Sequence, residues 1–360
     1  MISYYRLGAS KYIAQRTLTD LSIYPMDTSR TTLFLIAALP YGSANQVLSE
    51  IRHRFPTLRL AAPEMPDLSQ SKVLAVEVPA AVEPGMLIES WRDQNFLSHW
   101  LHRPARLGGV ITLLDTARFE VDLRSQDRLV DRGWASAPHD GRTVADLLVE
   151  QIEASSTIAL LGSDALRETT RRSVRILNPT ARLELCAASD GGLLGRLLAV
   201  EERAFEPTTP SWLRALRSEP PWPNGFRGGS RIVYRRHAPF DSDRIARWLG
   251  TPHPDVLRGK GQLWLSDRWD ERIGYSCAGA VQRTFPAGTW WASTVPGRWP
   301  TCPRHGEDLL STWHPRFGDR QQRIVLLGDT IVAPELTASL DSCLSDVSTI
   351  REGRARATVH

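Results

Sequence analysis

LFLIAALPYGSANQVLSEIRHRF, from Leu33 to Phe55, decides how the chain is read. Its first seven residues form an unbroken apolar run, the pattern of a strand buried on both faces of a parallel sheet. After Pro40 the apolar residues Val47, Leu48, Ile51 and Phe55 recur at helical spacing. A buried strand, a tight turn and a helix open a doubly wound α/β domain. Downstream, VLAVEV (Val73–Val78), VITLLD (Val110–Asp115), TIALLG (Thr157–Gly162) and LELC (Leu183–Cys186) read as further strands. Arg142–Ser155, with Val144, Leu147, Leu148 and Ile152 on one face, and Asp164–Leu177 read as helices, the second ending at Asn178-Pro179. The alternation predicts a mostly parallel, doubly wound sheet with right-handed crossovers over residues 31–200.

The 360 residues are enough for about two domains. Pro207, Pro210, Pro220, Pro221 and Pro223, with Gly225, Gly228 and Gly229 behind them, mark residues 201–230 as a linker. Beyond it, shorter strand-like runs and two helix-like stretches predict a smaller α+β domain over residues 231–346, antiparallel, with helices on one side. Residues 1–30 read as an extension and 347–360 as a basic tail. No apolar run approaches the ~18 residues of a membrane span, and no signal-peptide pattern opens the chain, so a cytoplasmic location is expected.

The four cysteines, Cys186, Cys277, Cys302 and Cys343, lie far apart without CxxC spacing, which gives no local zinc or redox motif. Buried thiols are the preferred reading, although Cys277 and Cys302 could meet in the fold. His99 and His102 share a helical face beside Trp100 and Leu101, the setting of a packed edge rather than a metal site. His237, His253, His305 and His314 all fall in the second domain, where solvated side chains are favoured over a cluster. Of 44 basic residues only Lys11, Lys72 and Lys260 are lysines. GC-rich coding explains most of that bias, yet arginine forks also suit phosphate. No DNA-binding motif is present.

Several stretches together resemble the CobW family of P-loop metal chaperones. In the second domain these are Ala238-Pro239-Phe240, RGKG (Arg258–Gly261) leading into LWL (Leu263–Leu265), GTWW (Gly288–Trp291) and FGDRQ (Phe317–Gln321). In the first they are DGRTVADLLVEQIE (Asp140–Glu153), Asp164 and Leu177-Asn178-Pro179. The resemblance implies a degenerate P-loop NTPase-like domain followed by a CobW C-terminal domain.

Such a GTPase needs GxxxxGK[ST] directly after the first strand, where backbone amides cradle the phosphates and the lysine reaches the terminal ones. That place reads Pro40-Tyr41-Gly42-Ser43-Ala44-Asn45-Gln46, and no lysine of the chain precedes a serine or threonine. The remnant of a nucleotide site is assigned to Gly42, Ser43, Glu77, Asp115 and Asp164. Glu77 and Glu83, flanking a segment with Ala80 in place of the family's glycine, read equally well as a switch or as solvated carboxylates. Asp115 could hold magnesium, but a hydrogen-bonding turn residue is preferred. Asp164 is the sole survivor of the family's Asn-Lys-x-Asp, or a helix cap. The family's cysteine motif is missing from the interval between Gln46 and Glu77. No catalytic or metal-ligating residue is assigned, and GTP with magnesium, or zinc, stays only a weak cofactor candidate.

The resemblance implies one of two roles in zinc homeostasis. The first is a pseudo-GTPase acting through a protein partner and the ribosome or its RNA, like P-loop-less actinobacterial relatives that recruit a hibernation factor in zinc starvation. Exposed members of Trp212, Trp222, Trp290, Trp291 and Trp299 would serve it as anchors. The second is a GTP-dependent zinc metallochaperone with an unorthodox site. A paralogue with no dedicated role is the bland third reading.

Overall fold

The computed structural model describes residues 31–59, 72–80, 82–91, 97–99, 101–135, 137–186, 196–197, 209–222, 226, 228–295, 297, 299 and 313–345. The extension 1–30, the tail 347–360, Cys302 and His305 lie outside the described residues.

The first half runs β1 (Thr31–Ala38), α1 (Gly42–Arg54), β2 (Thr57–Arg59), β3 (Val73–Glu77), α2 (Pro84–Trp91), β4 (Ala105–Asp115), α3 (Phe119–Leu123), α4 (Val144–Ala154), β5 (Thr157–Leu161), α5 (Asp164–Leu177) and β6 (Arg182–Cys186). The six strands pair in parallel in the order β2-β3-β1-β4-β5-β6. All eight residues of the central strand β1 are buried, which is why its sequence shows no alternation. From β1 the chain moves to one side for β2 and β3, then crosses to β4 on the other. The crevice at the carboxyl end of β1 is therefore the topological switch point, where such sheets bind ligands. The short helices α2 and α3 are additions to the sequence reading. Pro84 opens α2 at a first-turn position, where its missing N–H costs nothing.

The second half runs α6 (Ser211–Leu216), β7 (Ser230–Arg236), α7 (Ser242–Gly250), β8 (Val256–Leu263), β9 (Glu271–Ala278), β10 (Val281–Thr289), β11 (Gln322–Gly328) and α8 (Ala333–Asp341). Its five strands form an antiparallel sheet in the order β10-β9-β8-β11-β7. The stretch from Ile273 to Gln282, continuous in the sequence reading, divides into a hairpin at Gly279, whose φ of +51° suits glycine.

The second domain's own helices, α7 and α8, lie on one face of this sheet as expected, while its other face is covered by α5 of the first domain and by α6. Ile324 and Leu326 point into a core with Ile232, Tyr234, Trp248 and Tyr275 beneath α7 and α8. Their alternates Val325 and Leu327 meet Ile176 of α5 and Ala215 of α6 on the other face. The proline-rich segment is also more than a linker, because α6 sits within it. Trp212, Ala215 and Leu216, spaced three and four apart, give that helix an apolar face to lay on β11. The face of the sheet turned toward the first domain is closed by this second cover.

Candidate functional site

Helix α1 starts in the switch-point crevice at Gly42, which has φ of +64°. Its N-cap, Tyr41, makes no side-chain capping bond, and its first turn holds no acidic residue. The missing acceptor comes from the end of β4. Ser43 N–H donates to Asp115 Oδ2 at 2.9 Å, and Ala117 N–H donates to Oδ1 at 3.0 Å. A Cβ on Gly42 would stand 2.2 Å from that Oδ2. The carboxylate thus rests against the helix N-terminus, where amides and dipole would otherwise draw a phosphate.

Tyr41 closes the mouth above it. Its ring lies 5.4 Å from that of Trp134, and the Arg118 guanidinium stands 4.4 Å from its centroid. Burial and a hydrogen bond to Asp122 push the Tyr41 phenol upward in pKa. Burial likewise raises the Asp122 carboxyl, against the opposing effects of Tyr41 and Arg118. Beneath, a cavity of about 10 Å³ bounded by Leu39, Tyr41, Asp115, Asp122 and Gln151 has room for roughly one water.

Of the five predicted site residues, three converge: Gly42, Ser43 and Asp115. Glu77 is engaged by Arg52 in the last turn of α1, through contacts of 2.6 and 3.0 Å. Asp164, in the first turn of α5, is exposed and paired with Arg167. At Gly162 (φ +144°), a Cβ would meet Thr116 Oγ1 at 2.1 Å. The residues present do not fit a triphosphate: a carboxylate holds the anion position, and the two lysines among the described residues belong to the approach to β3 (Lys72) and to β8 (Lys260).

Among the described residues no group of three or more His, Cys, Asp or Glu could hold a metal ion. Cys186, Cys277 and Cys343 are buried free thiols, and burial pushes Cys277 up to about 12. The rings of His99 and His102 stand 6.2 Å apart, and those of His237 and His314 4.6 Å apart, so the second-domain histidines do meet in part. His314 Nδ1 accepts from Arg316 N–H at 3.1 Å, which places the ring proton on Nε2 and disfavours a metal there. His253 lies 4.3 Å from the ring of Trp248.

A second constellation joins the two domains. Asp146, Glu150 and Glu153 recur at i, i+4 and i+7 on α4 and so share one helix face. Against them stand Arg258 and Lys260, two residues apart on β8, and Arg283 of β10. Arg258 donates to both Glu153 oxygens at 2.8 Å, with side chains 1% and 7% exposed. Arg283 lies 2.8 Å from Asp146, which also closes a capping box on Thr143. Arg142 links Glu150 at 3.6 Å with Glu83 at 3.4 Å and Asp140 at 2.7 Å. Burial, then the carboxylates of Glu83 and Asp146, push Glu150 up to about 8, against Lys260 and Arg142. Burial and the charge of Arg258 pull Lys260 down, against the nearby glutamates. The RGKG motif is thus a docking element. Its glycines are needed because a Cβ at Gly261 would meet Arg323 O at 2.2 Å and one at Gly259 would meet Tyr275 at 2.8 Å. The FGDRQ motif is equally structural: Asp319 accepts from the amides of Trp291 and Ala292, and Arg320 binds the carbonyls of Trp269 and Phe317. The acidic face of α4, charged residues in an otherwise apolar helix, was the available signal for this interface.

Residues 230–344 match the family model described as the cobalamin synthesis protein cobW C-terminal domain. The chain is similar to the zinc-regulated GTPase metalloprotein activator 1 of Dictyostelium discoideum, 28% identical over 250 residues, which cover 66% of this chain and 52% of that protein. It is also similar to a zinc chaperone of Mycobacterium tuberculosis, 27% identical over 232 residues, 62% of this chain and 52% of that protein. The chain spans about half the length of the curated relatives it matches. Among solved structures, the Zn(II)-bound YjiA GTPase from E. coli aligns over 88% of this chain and 99% of that one, at 14% identity and a TM-score of 0.31, too low to carry weight. Residues 230–344 are thus a cobW C-terminal domain, and the chain is similar to these two relatives over about two thirds of its length.

Proposed function

We propose that this chain serves zinc homeostasis as a pseudo-GTPase, working by contact with a protein partner and the ribosome. In its finer form the proposal is recruitment of a ribosome hibernation factor during zinc starvation. The observation that carries it is Asp115, whose carboxylate accepts from Ser43 N–H at 2.9 Å and fills the anion position at the α1 N-terminus. A triphosphate arriving there would face like charge without a lysine to offset it. Each lost charge-assisted contact is worth about 1.5–3 kcal/mol. The zinc-related names of the curated relatives support the biological setting.

Those same names favour a second reading, a GTP-dependent zinc metallochaperone. Titration with a fluorescent GTP analogue and magnesium separates the two. The expected result is no saturable binding in the micromolar range and no turnover; micromolar affinity with phosphate release establishes the second reading instead. Affinity capture from zinc-limited cells is expected to recover ribosomal subunits, and their absence removes the ribosomal part of the proposal.

A further inference from the structure

The turn that ends α6 is wrapped by arginines. Arg235 and Arg323 donate to Leu216 O at 3.0 and 2.7 Å, Arg231 to Glu219 O at 3.2 Å, and Arg214 to Pro220 O at 2.8 Å. Arg217 adds a fifth, exposed guanidinium directly after the helix. The turn is fixed tightly enough to hold Ser218 at φ of +63°.

Charge here is unbalanced. Among the described residues Arg214, Arg217, Arg231 and Arg235 have no carboxylate within ion-pair distance, whereas arginines elsewhere on the surface, such as Arg52, Arg171 and Arg236, do. A guanidinium carries five N–H donors, and those that reach the turn spend one or two on carbonyls. In Arg214, Arg231 and Arg235 what is left is a set of forks with donors to spare and little remaining freedom. Side-chain ordering, usually a cost of engaging arginine, is already met inside the fold.

Because β7 is an edge strand, Arg231 and Arg235 stand on its exposed face with Val233 between them. Val233 is the one exposed apolar side chain of that strand. A protein-binding surface would be expected to offer aromatic or aliphatic anchors. A polar, strongly cationic face is the composition of a nucleic-acid interface.

We propose that the α6–β7 edge, through Arg214, Arg217, Arg231 and Arg235, binds the phosphate backbone of RNA. This deepens the ribosomal reading above and rests on it for its biological partner. No base is specified, since among the described residues this face offers no exposed ring for stacking.

Fluorescence anisotropy of the full chain with a short single-stranded RNA tests it, over about 50 to 200 mM salt. Four neutralised phosphates predict a slope of log K against log salt near roughly −3, at about 0.7 each. Joint Arg231→Ser and Arg235→Ser substitution is expected to weaken binding about 20-fold at about 0.1 M salt and to halve the slope. Arg217→Ser, which breaks no internal bond, keeps the fold intact and should lower the slope by about 0.7. The proposal is overturned if RNA does not bind, if Arg268→Ser at a distant exposed site causes the same loss, or if a polyglutamate peptide binds more tightly than RNA. Ribosome capture that survives Arg217→Ser and the double substitution would remove this surface while leaving the ribosomal reading in place. RNA binding without ribosome capture would do the reverse.

Discussion

Removing the charge from one side of the Glu153–Arg258 pair should be far more harmful than removing it from both. The two hydrogen bonds at 2.8 Å join α4 to β8, and both side chains are almost fully buried. Two charge-assisted bonds at about 1.5–3 kcal/mol each place the interaction at roughly 3–6 kcal/mol, in the range expected when a buried pair is broken. Glu153→Leu strands Arg258, which cannot shed its proton, and should cost the most. Arg258→Met strands a carboxyl that can neutralise. Its cost should therefore be the smaller of the two. The double variant replaces the pair with apolar groups and should recover most of the loss, giving a coupling energy of about 3 kcal/mol. Urea unfolding followed by tryptophan fluorescence suits the measurement, because nine of the twelve tryptophans follow residue 210 and report the second domain. Single substitutions costing under about 1 kcal/mol, or a double variant as unstable as the sum of the two, would refute a dry interdomain ion pair.

Glu150→Gln should flatten the pH dependence of stability. With its folded-state pKa near 8 and an unfolded value near the ordinary one, the native protein holds a proton that the unfolded chain has released, so stability falls as pH rises across that window. The variant should match the wild type at about pH 5 and exceed it at about pH 8 in thermal unfolding; a wild type that gains stability over that interval contradicts the assignment. Asp115→Ala removes the acceptor of two amides, one of them in the first turn of α1, and should cost about 1–2 kcal/mol in urea unfolding; an unchanged midpoint would mean that water caps the helix equally well.

Much of the first domain was legible because its strands are buried on both faces. An apolar run such as Leu33–Leu39 has few alternatives, and β3, β4, β5 and β6 each overlap the stretch read for them. The absence of a P-loop was equally a property of the sequence, since it is a statement about which residues follow three lysines. The role of Asp115 was half visible: a strand-end aspartate predicts a hydrogen-bonding turn, but not that its partner is Ser43, 72 residues earlier.

What only the tertiary structure decided are the relations between segments remote in the chain. Glu153 and Arg258 are 105 residues apart, and no local pattern announces that one neutralises the other. Prolines made residues 201–230 look like a tether, yet Trp212, Ala215 and Leu216 gain an address once β11 presents Val325 and Leu327 to them. Likewise, an arginine-rich composition is spread evenly on paper. It becomes a cationic edge only where the fold gathers Arg214, Arg217, Arg231 and Arg235 round one turn and, among the described residues, leaves their charge without carboxylates. Local propensity and periodicity operate over a few residues, whereas burial, ion pairing and surface charge depend on three-dimensional neighbours; the first fixed the elements and the second decided what they do together.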